Sequence, residues 1–123
     1  MDLRKCKRSE ATEQISVINW CKVYECDYPV LKMIFHIPNG GSRNKLEAAN
    51  LKQQGVKAGV PDLFLPVPKN EYHGLFIEMK YGKNKTTDNQ EEWLQQLAEQ
   101  GYRCEVCYSA DAAIAVLKDY LCI

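Results

Sequence analysis

Two carboxylates and an ammonium stand among core residues in one short stretch, "GVPDLFLPVPKNEYHGLFIEMK", residues 59–80. Asp62 opens the first of two apolar runs, Glu78 sits near the end of the second, and Lys80 follows Glu78 on the same alternation. Side chains alternate along a strand, so Glu78 and Lys80 share one face while Ile77 and Met79 take the other. If "PKNEYHG" turns the chain into a hairpin, Asp62 and Glu78 lie close together on adjacent strands. Two such carboxylates repel unless a proton or a cation intervenes. A divalent cation satisfies both, with the Lys80 ammonium beside them. Magnesium suits this arrangement because it needs few protein ligands and keeps waters, which leaves room for a phosphate oxygen. The plainer reading is a surface ion pair at a strand end, since Glu-x-Lys is common.

Other polar residues fall on apolar faces. On a helix at about 100° per residue, Val17, Ile18, Trp20, Cys21 and Tyr24 form a stripe. Glu10 lies close to its centre, Gln14 one turn further, and Glu13 toward its edge. Glu10 can serve the helix dipole or reach a metal held by the sheet. Further on, Gln90 shares a helix face with Trp93, Leu94 and Leu97. It can complete a capping box or point its amide at the same cleft, where a helix N-terminus favours phosphate. His36 and Asn39 stand in "FHIPNGG", before a glycine-rich loop whose N–H groups could receive a phosphate. The other reading of His36 is a satisfied core histidine.

The elements that must position these groups follow from capping and periodicity. Ser9 caps a helix running to about Cys26. "LKMIFHIPN", residues 31–39, reads as a strand ended by Pro38 and the loop beyond. "NKLEAANLKQQG" is a short helix, and "DLFLPV" and "GLFIEMK" are two strands. "TTDNQEEWLQQLAEQG" is a helix with Thr87 and Gln90 as its capping box and Gly101 at its stop. "YRCEVCY" is a fourth strand, and "SADAAIAVLKDYL" a last helix with Ala113, Ile114, Leu117, Tyr120 and Leu121 on one face. The order α-β-α-β-β-α-β-α predicts an α/β domain, a central sheet flanked by helices on both sides.

A chain of 123 residues with 46% hydrophobic content suits one domain spanning 1–123. No run is long enough to span a membrane, and the charged "MDLRKCKR" lacks the apolar core of a secretion signal. The expected compartment is the cytoplasm, where the six cysteines stay as free thiols. Cys104 and Cys107 form one CxxC, but a strand there turns them to opposite faces. With 16 basic and 16 acidic residues the net charge is zero, which argues against a simple basic clamp on DNA. The charges are uneven, however. Arg43, Lys45, Lys83 and Lys85 could line a locally basic face.

Together these residues resemble the VRR-NUC family, within the PD-(D/E)xK, restriction-endonuclease-like superfamily. "SEATEQ", "HIPNGG", "GVKAGVPDLFL", "GLFIEMK" and "TDNQEEWLQQLAEQGY" carry the match in the family's order, over residues 9 to about 108. The resemblance implies a restriction-endonuclease-like mixed sheet and a Mg²⁺- or Mn²⁺-dependent deoxyribonuclease. Asp62 and Glu78 would match its metal-binding carboxylates, Lys80 the catalytic lysine, Glu10 the first-helix acid and Gln90 the helix glutamine. His36 matches a less general position. The size looks like the small stand-alone type from phage or bacteria, at work in bacterial cytoplasm or an infected host. Such forms suit dimerisation, like junction resolvases.

The leading expectation is therefore an endonuclease on branched or flapped DNA such as Holliday junctions, acting as a homodimer. His36, Asn39, Arg43, Lys83 and Lys85 are the candidate DNA contacts. Two alternatives belong to other classes. One is a catalytically silent nucleic-acid-binding module of the same fold, which the intact Asp62, Glu78 and Lys80 oppose. The other is a zinc-stabilised interaction protein using Cys104 and Cys107.

Overall fold

Helix α1 (Glu10–Tyr24) starts where Ser9 and Thr12 cap each other reciprocally through side chain and backbone. A 3₁₀ turn (Pro29–Met33) and a two-residue strand β1 (Phe35–His36) follow. Next come α2 (Lys45–Gln53), β2 (Leu63–Leu65), β3 (Leu75–Met79), α3 (Asp88–Glu99), β4 (Arg103–Cys107) and α4 (Ala110–Leu121). The structure, a computed structural model, describes residues 7–39 and 44–123.

The order of helices and strands is the expected one, with one correction. The stretch 31–39 is not a continuous strand, because its first part winds into the 3₁₀ turn. Pro29 has no N–H to give a ladder, and Leu31 donates its own N–H back to the Tyr28 carbonyl at 3.0 Å. The turn buries Leu31 in the core beside α1. Only Phe35 and His36 remain to pair with β2.

The sheet order is β1-β2-β3-β4, with the first two pairings antiparallel and the last parallel. It is a mixed sheet, as expected. Leu63, Leu65, Leu75, Ile77 and Met79 join Val17 and Cys21 of α1 and Ala113, Leu117 and Tyr120 of α4 in one buried cluster. The Tyr120 hydroxyl donates to the Val67 carbonyl at 2.6 Å, which ties α4 to the end of β2. Alternation turns Phe64, Phe76 and Glu78 to the opposite face. There Phe64 stacks on Phe76 with ring centroids 4.2 Å apart, and Tyr102 meets both edge-on. Helix α3 packs beside β4. Among the described residues no helix is long and apolar enough to cross a membrane.

Candidate active site

The antiparallel register pairs Leu63 with Ile77, so the next pair outward sets Asp62 opposite Glu78. Asp62 is fixed there from the other strand, since the Met79 N–H donates to its Oδ2 at 2.8 Å. Glu78 is buried, with 2% of its surface exposed, and its Oε2 has no hydrogen-bond partner. Burial pushes its carboxyl up to about 9, and the hydrogen bond to Asp62 and that group's charge push the same way. Lys80 opposes the shift, and Glu10 adds a little to it. Lys80 is itself buried, its backbone N–H extending the β4 ladder to the Cys107 carbonyl at 2.9 Å. It makes no ion pair among the described residues. Asp62, Glu78 and Lys80 are thus gathered on one end of the sheet.

The approach to Asp62 is held by α3. The Ala58 carbonyl accepts from Asn89 Nδ2 at 2.9 Å and from Trp93 Nε1 at 3.2 Å. Gly59 follows with φ of +88°, and a Cβ there would lie 2.7 Å from Asn89 Nδ2. Only glycine fits both the backbone angle and the space. Sequence reasoning missed Asn89 and gave Trp93 only a place on one helix face with Gln90, Leu94 and Leu97; the signal was Gly59 just ahead of Pro61-Asp62.

A cleft of about 300 Å³ opens beside Asp62, lined also by Glu10, Gln14 and His36. His36 Nδ1 lies 2.8 Å from the Asp62 carbonyl, so it carries the proton and donates. Gln14 reaches the same nitrogen at 3.1 Å and must then present its carbonyl oxygen. Glu10 lines the cleft, but its carboxylate accepts from Asn84 Nδ2 at 3.0 Å. Among the described residues no three His, Cys, Asp or Glu side chains come together as a metal-binding group. The gathered pair is Asp62 and Glu78, and one or two carboxylates are what magnesium ordinarily takes from a protein. The unpartnered Glu78 oxygen beside a second carboxylate fits such a cation.

Gln90 closes the capping box of α3: its Oε1 accepts the Thr87 N–H at 2.9 Å, and Thr87 Oγ1 accepts the Gln90 N–H. Asn39, Lys83 and Lys85 are exposed, and Arg43 lies outside the described residues. Cys104 pairs across the ladder with Phe76 and Cys107 with Met79, so the CxxC splits between the two faces. Burial pushes both thiols up to about 11.

Glu13 departs from its expected place at the stripe's edge. It is buried, and its Oε1 accepts from Arg8 at 2.7 Å and from the Ala110 N–H at the start of α4. Arg8 holds its carboxyl below the ordinary range against the opposing effect of burial.

A family model of the VRR-NUC domain matches residues 5–111. The chain belongs to the VRR-NUC family. A solved structure described as a VRR_NUC domain protein is 36% identical. The match covers 94% of this chain and 90% of that one, with a TM-score of 0.80. No curated protein matches the chain. This VRR-NUC domain therefore has the restriction-endonuclease-like fold of a nuclease, for which DNA is the implied substrate.

Proposed function

We propose that this VRR-NUC domain is a Mg²⁺- or Mn²⁺-dependent DNA endonuclease that hydrolyses phosphodiesters at Asp62, Glu78 and Lys80. The observation that carries the reading is the buried Glu78 carboxylate with an oxygen left unpartnered, facing a second carboxylate and a buried lysine. A buried polar atom without a partner costs free energy, so a fold that keeps one has a use for it. Asp62 and Glu78 would hold the cation. When bound, the cation makes water more acidic and offsets negative charge on the phosphate. Water attacks phosphorus in line and gives up a proton to solvent; the new P–O bond forms as the bond to the 3′ oxygen breaks, and that oxygen leaves and takes up a proton from solvent. Lys80, free of ion pairs among the described residues, orients the attacking water and stabilises the charge that develops at phosphorus. The Met79 N–H keeps Asp62 from turning away. Asn89 and Trp93 keep the Ala58–Gly59 segment in register.

The substrate we propose is branched or flapped DNA, cut by a homodimer in the cytoplasm. One protomer gathers one site, and symmetric cutting of a junction calls for two sites across a two-fold axis. The deciding assay incubates the protein with labelled linear, flapped and four-way DNA, with EDTA, Mg²⁺ or Mn²⁺. Cleavage only with metal, and fastest on the branched forms, is the expected result. Cleavage that persists in EDTA overturns the metal reading; equal rates on all three overturn the branched preference. Light scattering should return twice the 14.1 kDa chain mass.

Lys80→Ala should lower turnover by orders of magnitude while keeping most DNA affinity, because its role is at the transition state. Unchanged turnover at saturating DNA would reduce Lys80 to a phosphate clamp.

A further inference from the structure

We infer that a second groove, next to the cleft, seats the nucleotide adjoining the scissile phosphate, with Lys7 as its phosphate partner and Tyr81 as its stacking platform. The inference rests on the nuclease reading above and extends it to the path of the strand. The groove has a volume of about 560 Å³ and is lined by Lys7, Arg8, Glu10, Tyr81 and Asn84 among others. Glu10 lines both this groove and the cleft beside Asp62, so the two cavities meet there. A strand whose phosphate lies at Asp62 and Glu78 would enter the groove with its next residue.

The chemistry of the walls suits a nucleotide. Lys7 is exposed and has no ion pair among the described residues, which leaves its charge for a phosphate. Arg8 is committed to Glu13 at 2.7 Å, and its guanidinium lies 5.6 Å from the centre of the Tyr81 ring. That contact orders the ring in advance, which lowers the entropy cost of stacking a base on it. Tyr81 follows Lys80 directly in the chain, so the platform moves with the catalytic strand. The one carboxylate on the wall, Glu10, is already hydrogen-bonded by Asn84. Basic charge, an ordered aromatic ring and an amide in a trough are the means by which proteins hold single strands without reading sequence.

The test measures DNA binding by fluorescence anisotropy in EDTA over a range of salt, for wild type, Lys7→Ala, Tyr81→Phe and Tyr81→Ala. Lys7→Ala should reduce the slope of log affinity against log salt by a little under one. Tyr81→Ala should weaken binding on the order of tenfold, while Tyr81→Phe, which keeps the ring, should bind as wild type. Iododeoxyuridine is scanned through the cleaved strand and irradiated; it should cross-link to Tyr81 only from the position flanking the cut. Lys7 is exposed, so its variant still decides the matter if Tyr81→Ala proves unfolded by circular dichroism. Wild-type salt slope in Lys7→Ala, or cross-linking from the flanking position to another part of the chain, would overturn the groove assignment while leaving the nuclease reading intact. A wild-type protein that neither binds nor cuts DNA would overturn both.

Discussion

Two buried glutamates in this molecule meet opposite fates. Glu13, at the junction of α1 and α4, is 6% exposed, and its Oε1 accepts from both Arg8 and the Ala110 N–H. Glu78, at the end of β3, is 2% exposed, has an oxygen with no partner, and faces a second carboxylate. The first carboxyl is held below its ordinary range and the second is pushed far above it. Burial opposes ionisation at both places; it is the largest influence at Glu78, whereas at Glu13 the Arg8 hydrogen bond outweighs it. The partners set the signs apart: a cation and a helix N-terminus at Glu13, another carboxylate adding to burial at Glu78. A satisfied buried charge joins elements together, whereas an unsatisfied one is a place for something the chain itself does not supply.

The largest effect that would break this contrast is catalytic. Asp62→Asn and Glu78→Gln should each lower cleavage on the order of a thousandfold or more while the fold persists. Rates on labelled DNA and far-ultraviolet circular dichroism together check this. Glu13→Gln should do the reverse and leave a cleaving but weaker protein. Gln keeps an acceptor oxygen but loses the charge that strengthens these hydrogen bonds, at a cost of about 1 kcal/mol, read as a shift in urea midpoint. Strong cleavage by the Glu78 variant, or an inactive but fully stable Glu13 variant, would dissolve the distinction.

A smaller effect lies in the pH dependence of the metal-free protein. The Glu78 carboxyl moves from 4.5 in the unfolded chain to about 9 in the folded one. Between those values the folded state keeps a proton that the unfolded state has lost, so stability falls as pH rises. The slope from this group is at most about 1.4 kcal/mol per pH unit. Glu13 has the opposite sign: its contribution is present at neutral pH and disappears as the solution turns acid. Denaturation in EDTA from pH 5 to 9 should show a downward trend that Glu78→Gln flattens and Glu13→Gln leaves in place. A Glu78→Gln curve parallel to wild type would show that this carboxyl ionises normally.

The smallest effect concerns magnesium. A cation that binds the ionised pair must displace the proton, so Mg²⁺ should raise the melting temperature more at pH 8 than at pH 6. The increment should vanish in Asp62→Asn and survive in Glu13→Gln. Equal increments at both pH values, or one retained in Asp62→Asn, would place the ion elsewhere.

The sequence by itself determined most of the elements and the facing of β2 and β3. Two-residue alternation puts Glu78 and Lys80 on one side of β3, and a short turn brings Asp62 opposite them, because neighbouring strands leave little freedom of register. Capping chemistry is equally local, so the starts of α1 at Ser9 and of α3 at Thr87 could be read directly. The 3₁₀ turn at Pro29–Met33 could not, since an apolar run does not say whether it buries by extending or by coiling against α1. Nor could the two glutamates be told apart on a helical wheel or a strand pattern. Glu13 meets Ala110 across 97 residues of chain, and Asp62 depends on Asn89 and Trp93 of a later helix for the loop that delivers it. Such partners meet only when helices pack on a finished sheet, and an ionisable group's state depends on all its neighbours at once. Where the carboxylates stand is therefore a local matter of period and turn, while which of them is satisfied is decided by tertiary packing.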